Sequence, residues 1–171
     1  MNYAKKRKSK VVITTIALIA ILLGAVAGVL VLTRGPKVDE GYVKVDSKFY
    51  VGSLDKDGEY VSSENSIYTK SAFACEESVK VVVDFDSNVQ YQVFFYDDYD
   101  KFVSSSEITR KGAEFNVPTG ATRARVLITP IWDSTVEAAD RVVKWNSINK
   151  YAKQLTISVK EVVVEENVNP A

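Results

Sequence analysis

Three features of the 171-residue sequence predict an all-β fold, an antiparallel β-sandwich, preceded by a single membrane-spanning helix. A basic cluster (Lys5, Lys6, Arg7, Lys8, Lys10) runs directly into Val11–Thr33, which carries no charged residue. Beyond Arg34, short stretches of alternating apolar and polar residues recur about every ten residues between turn signals. No long 3.6-residue periodicity follows Leu32, so the exterior part has no helix long enough to form a layer.

The anchor follows from length. Val11–Thr33 is 23 residues, which as a helix reaches about 34 Å against a hydrocarbon core roughly 30 Å thick. Burying a lysine at mid-bilayer costs several kcal/mol, so the basic cluster stays on its own side. The positive-inside bias then places residues 1–10 in the cytoplasm and the chain after Arg34 outside. A cleaved signal peptide is the competing reading, supported by Ala25-Val26-Ala27. Cleavage there leaves Gly28–Leu32 as an apolar stub, and the run exceeds the roughly 7–15 residues of a signal-peptide core. A retained anchor is therefore expected, on a single-pass protein of the cell membrane. Gly24 and Gly28 make a G-x-x-x-G pair through which two helices can approach, so a homodimer through the membrane helix is one expected association.

The sequence divides into a basic tail (1–10), the anchor (11–33), a Gly/Pro-bounded linker (34–41), a β domain (42–164) and an acidic, Asn-rich tail (165–171). All 22 acidic residues but only 16 of the 22 basic ones lie beyond Arg34, so a net charge of zero conceals an exterior of about −6. That asymmetry argues against nucleic acid as a partner and assigns the basic cluster to topology and to anionic lipid headgroups. Cys75 is the only cysteine, so no intramolecular disulfide forms, and beside Phe73 and Ala74 it reads as a small buried hydrophobe. There is no histidine, which removes Ser-His-Asp and Cys-His catalysis and His-ligated zinc.

Along the domain, Val43, Val45, Phe49 and Val51 alternate with polar residues, and Leu54–Glu59 reads as a turn. Further strands are expected over Ile67–Ala74 and Val79–Phe85. Val89–Tyr96 is the strongest, with Val89, Tyr91, Val93 and Phe95 on one face. The acidic turn Asp97–Asp100 and the return Lys101-Phe102-Val103 make a hairpin. Ala113–Val117 is another strand, followed by the turn Pro118-Thr119-Gly120. In Thr122–Pro130, Ala124, Val126 and Ile128 face one side and Arg123, Arg125 and Leu127 the other. Ser134–Lys150 is expected as a loop or single helical turn, then a strand near Trp145. Gln154–Val159 closes the domain, and the apolar run Val162–Val164 is the expected extension of that strand.

One block of residues resembles a known family. Val93–Asp97, Lys101–Ser106, Phe115-Asn116-Val117-Pro118 and Ala121…Arg125–Pro130 are similar to the second half of jelly-roll modules of the galactose-binding-like and carbohydrate-binding type. Such modules occur on bacterial surface proteins, secreted glycosidases and phage tail proteins. The resemblance covers residues 79–160 and implies a jelly-roll scaffold, with recognition of carbohydrate or of another cell-surface ligand. It marks the scaffold and carries over no binding residue.

Sugar faces present apolar C–H groups that pack on aromatic rings, so the candidate rings are Trp132, Trp145, Tyr99, Tyr96 and Tyr60. Trp132 leads them because it follows Pro130 at an expected strand end, with Tyr99 and Arg125 expected beside it as ligand-binding residues. The competing reading makes each tryptophan a plug at the end of the core. Arg123 and Arg125 are spaced either to grip a ligand or to pair with acids on the next strand. Asp55 and Asp57 resemble part of a calcium loop, so a structural calcium ion is a candidate there. The closing bidentate Glu is missing and Ser66 stands in its place, which favours an Asp-Gly turn. No acidic pair stands out as a glycosidase couple. The expected function is non-catalytic binding of carbohydrate or a cell-surface protein by a membrane-anchored extracellular module; the alternative is a structural or protein-interaction subunit of the cell envelope.

Overall fold

Residues 38–161 are described by a computed structural model. The strands are β1 (Tyr42–Lys44), β2 (Phe49–Val51), β3 (Ser53–Leu54), β4 (Tyr60–Val61), β5 (Ile67–Thr69) and β6 (Phe73–Ala74). They continue as β7 (Ser78–Val83), β8 (Val89–Tyr96), β9 (Phe102–Ser105), β10 (Ala113–Asn116), β11 (Arg123–Pro130) and β12 (Leu155–Lys160). The expected anchor at 11–33, the basic tail, the first half of the linker (34–37), the strand extension expected at 162–164 and the tail at 165–171 lie outside the described residues. No helix among the described residues is long and apolar enough to cross a membrane.

The strands form two main antiparallel sheets. One runs β1-β12-β7-β10; the other runs β2-β5-β11-β8-β9, with β6 also paired to β11. Period-two alternation turns Val79 and Val81 of β7 and Leu155 and Ile157 of β12 toward Val89, Tyr91, Val93 and Phe95 of β8 and Ala124, Val126 and Ile128 of β11. These side chains form one apolar cluster between the sheets, so the fold is all-β and sandwich-like. Cys75 lies within it, and burial pushes its thiol up to about 11.

A second, smaller cluster sits on the outer face of the larger sheet. Leu54 packs there on Phe94, Tyr96 and Leu127, with Tyr68 and Phe102 at its margin. The β3-β4 hairpin brings Leu54 into place, which explains why Phe94 and Tyr96 are buried although their face points away from the main core. Gly58 at the hairpin turn has φ +73°, and a Cβ there would lie 2.8 Å from Phe102 and from the Tyr96 hydroxyl. Only glycine lets the turn close on the sheet. The Tyr96 hydroxyl donates to the Gly58 carbonyl at 2.7 Å, and burial pushes its pKa up to about 12.

Two expectations are corrected. Ile67–Ala74 is not one strand: β5 and β6 flank an outward loop at Lys70–Ala72. Ile67 opposes Ile128 and Phe73 opposes Ala124, so six steps of chain meet four steps of β11. The gap leaves the Val126 N–H without a backbone acceptor from this side, and it donates instead to the buried Thr69 Oγ1 at 3.1 Å. The second correction is at Trp145, where no strand forms. Short 3-10 turns at Ala138–Asp140 and Trp145–Ser147 lead into a five-residue helix, Ile148–Ala152. Val143, Ile148 and Tyr151 point into the core while Lys144, Trp145 and Asn146 are exposed, a one-sided pattern that suits a turn and helix.

Where the described chain begins, polar contacts hold it to the outer face of the smaller sheet. The Tyr42 hydroxyl donates to Glu114, which also accepts from Ser78 Oγ at 2.8 Å; Lys80 pairs with Asp39 and lies 5.1 Å over the Tyr42 ring. The hydroxyls of Tyr42 and Ser78 hold the Glu114 carboxyl below the usual carboxylate range.

Thr69→Val should cost about 1–3 kcal/mol in denaturant melts because it strands a buried N–H, while Thr69→Ser should retain most of the stability. For Glu114 the depressed carboxyl contributes stability above its unfolded pKa, and that stability is lost as pH falls through the folded value. Melts at pH 6 and pH 3 should therefore show a smaller acid-induced drop in Glu114→Gln than in the parent chain.

Candidate functional site

Expected together at one loop end, Trp132, Tyr99 and Arg125 are separated by the register of β8 and β11. Arg123 opposes Tyr96 and Pro130 opposes Val89. Tyr99, beyond Tyr96, and Trp132, beyond Pro130, thus lie at opposite ends of an eight-residue ladder, about 24 Å long. Trp132 is half-buried against the main core, edge-on to Tyr151 with ring centroids 6.4 Å apart. Its Nε1 meets no protein acceptor among the described residues. Arg125 lies on the outer face with its guanidinium 5.3 Å over the Tyr96 ring. Arg123 pairs with Asp100 at 2.7 Å.

Tyr99 is 91% exposed at the β8-β9 turn. Asp97 Oδ1 accepts the N–H groups of Tyr99 and Lys101, each at 2.9 Å, and Asp98 accepts from the Thr122 hydroxyl at 2.6 Å. The other acidic turn is built the same way. Asp55 Oδ1 accepts the N–H groups of Asp57 and Glu59 at 2.9 Å, and Asp57 pairs with Lys56. These carboxylates are turn-closing acceptors. Among the described residues no three acidic, cysteine or histidine side chains converge to hold a metal ion.

The outer face of the larger sheet holds a different constellation. Phe49 and Val51 pack on the core, so Tyr50 between them points outward, directly opposite Tyr68 on β5. Tyr60, on the hairpin, lies against Tyr68 with ring centroids 5.6 Å apart. Trp145, from the turn before the short helix, meets Tyr50 edge-on at 6.2 Å. Tyr60–Tyr68 and Tyr50–Trp145 are thus two ring pairs that the β2-β5 register brings together on one face as a row of four aromatic residues. Its ends are open: Tyr60 is 56% exposed and Trp145 is 72% exposed. Gly52 makes the row possible, since a Cβ there would sit 2.6 Å from the Tyr60 ring and 2.9 Å from that of Tyr68.

Lys70 joins the row to a neighbouring groove. Its ammonium lies 4.7 Å over the Tyr50 ring and donates to the Tyr50 hydroxyl at 3.1 Å. The groove, about 490 Å³, has Val45 and Phe73 as apolar lining and Asp46, Ser47, Lys48 and Lys70 as polar lining. It lies between the β1-β2 connection (Val45–Lys48) and the loop at Lys70–Ala72, so the strand break beside Thr69 supplies one of its walls.

Comparison of the chain with protein-family models, with curated proteins and with solved structures gives no match.

Tyr60 and Trp145 were legible as candidate rings, but Tyr50 and Tyr68 were not. The available signal was modest: each is the central, outward residue of a three-residue strand whose flanking residues face the core, Phe49-Tyr50-Val51 and Ile67-Tyr68-Thr69. Their adjacency depends on the β2-β5 register.

Because Trp132 packs on the core, Trp132→Ala should cost about 3 kcal/mol, the low end for a large aromatic. Trp132→Phe should cost much less, since it keeps the ring contact with Tyr151 and removes the unpaired Nε1. Paired thermal melts check both.

Proposed function

We propose that this chain is a non-catalytic, membrane-anchored binding module that presents a jelly-roll domain outside the cell and recognises carbohydrate. The single observation that carries the reading is the row Tyr60–Tyr68–Tyr50–Trp145, two contacting ring pairs that the β2-β5 register brings together on one sheet face. Aromatic faces match the apolar C–H faces of sugars, and a shallow row suits an extended oligosaccharide better than a single enclosed sugar. The connectivity supports the jelly-roll reading. After β7 the chain crosses to the β8-β9 hairpin, returns to β10, crosses again to insert β11 between β5 and β8, and returns to insert β12 between β1 and β7. The basic cluster and the uncharged run at 11–33 support the anchor, and the absence of histidine from the sequence supports recognition over catalysis.

A protein contact within the cell envelope is the second reading, favoured by Phe85. That ring is fully exposed in the β7-β8 connection, at the end of the sheets away from where β1 begins.

A panel of neutral and acidic oligosaccharides titrated against the full chain in detergent micelles tests the carbohydrate reading. Trp145→Ala and Tyr60→Ala should each weaken binding by about 1–2 kcal/mol while leaving the melting temperature within a few degrees of the parent. Tyr99→Ala, at the distant hairpin tip, should leave affinity unchanged. Equal binding by all four proteins, or no binding by the parent, would overturn the proposal.

A further inference from the structure

We infer that the aromatic row selects an anionic saccharide and orients it, with the acidic unit at the Tyr50–Trp145 end. The inference rests on the carbohydrate reading above and deepens it. The described ion pairs are Lys56–Asp57, Lys80–Asp39, Arg123–Asp100 and Lys160–Glu77. Lys48, Lys70 and Lys144 are in none of them, as is also true of other surface lysines such as Lys44 and Lys101. Lys70 and Lys48 lie at one end of the row. Lys70 rests on the Tyr50 ring, Lys48 lines the same groove, and Lys144 precedes Trp145 in the chain. The opposite end is acidic, because Tyr60 follows Glu59 on the hairpin whose turn carries Asp55 and Asp57. Charge therefore changes sign along four rings.

The consequence is directional. In an exterior domain of net charge about −6, a polyanion is repelled from most of the surface. Unpaired ammonium groups beside Tyr50 offer it a local partner, and a carboxylate or phosphate reaching Lys70 exchanges a solvated charge for a charge-assisted hydrogen bond. Glu59 disfavours the same group at Tyr60, so a neutral sugar unit occupies that end. Asp46 in the groove opposes the lysines and sets how strong the preference is.

The test titrates the full chain in detergent micelles with three probes of matched length: a neutral galactose oligomer, a galacturonic acid oligomer and a phosphate-substituted neutral oligomer. At low salt an acidic probe should bind about tenfold more tightly than the neutral one, and the ratio should shrink as salt rises. Preference for the carboxylate or for the phosphate probe identifies which anion the lysines take. Lys70→Met should bring the acidic probe down to the neutral affinity without changing the neutral probe. Asp46→Asn should raise affinity for the acidic probe alone, and Trp145→Ala should weaken all probes together. Equal binding of acidic and neutral probes by the parent, or an unchanged ratio in Lys70→Met, overturns the charge assignment while the carbohydrate reading stands. No binding of any probe overturns the carbohydrate reading itself.

Discussion

Strand β11 is the constraint on which the larger sheet depends. It pairs with β8 along its whole length and, on its other side, with β5 and β6. It is also the source of Ala124, Val126 and Ile128 for the main core and of Leu127 for the outer cluster. Its partners on the two sides form long before it in the chain, so its insertion completes a sheet whose neighbours lie far apart in sequence. Such non-local pairing carries a loop-closure cost that is recovered only when the centre is filled. The hydrogen bond from the Val126 N–H to Thr69 Oγ1 completes the strand's backbone pairing at the point where the neighbouring strand breaks.

The break at Lys70–Ala72 has consequences beyond the ladder. It carries Lys70 out to the Tyr50 ring and supplies one wall of the groove beside Phe73 and Val45. An unbroken Ile67–Ala74 strand would have alternated these residues in and out of the sheet and removed that wall. Side-chain pairing at Thr69 thus permits an irregularity that backbone pairing alone would leave with a stranded donor.

The β3-β4 hairpin plays the complementary part on the same face. Its Leu54 covers Phe94, Tyr96 and Leu127, and the Tyr96 hydroxyl ties down its turn at Gly58. The hairpin also carries Tyr60 to Tyr68, over the bare backbone of Gly52. One short excursion therefore both buries Leu54 on the sheet and sets the position of the Tyr60 ring. Both acidic turns, by contrast, spend carboxylate oxygens on backbone N–H groups, so their charge density serves turn geometry.

Alternation by itself determined the two longest strands, β8 and β11. β8 spans Val89–Tyr96 as its pattern indicates, and the inward set Ala124, Val126 and Ile128 follows from a period of two, because a pleated strand has no other way to segregate its faces. The burial of Cys75 and the turn roles of Asp55 and Asp97 were legible for similarly local reasons. What alternation does not encode is which strands meet. Trp132 and Tyr99 fall at opposite ends because β11 runs antiparallel to β8, and Tyr50 meets Tyr68 because β2 pairs with β5 in one particular register. Local pattern sets the face on which a side chain lies, whereas its neighbours on that face are chosen by pairing between distant segments, and only the tertiary structure decides that.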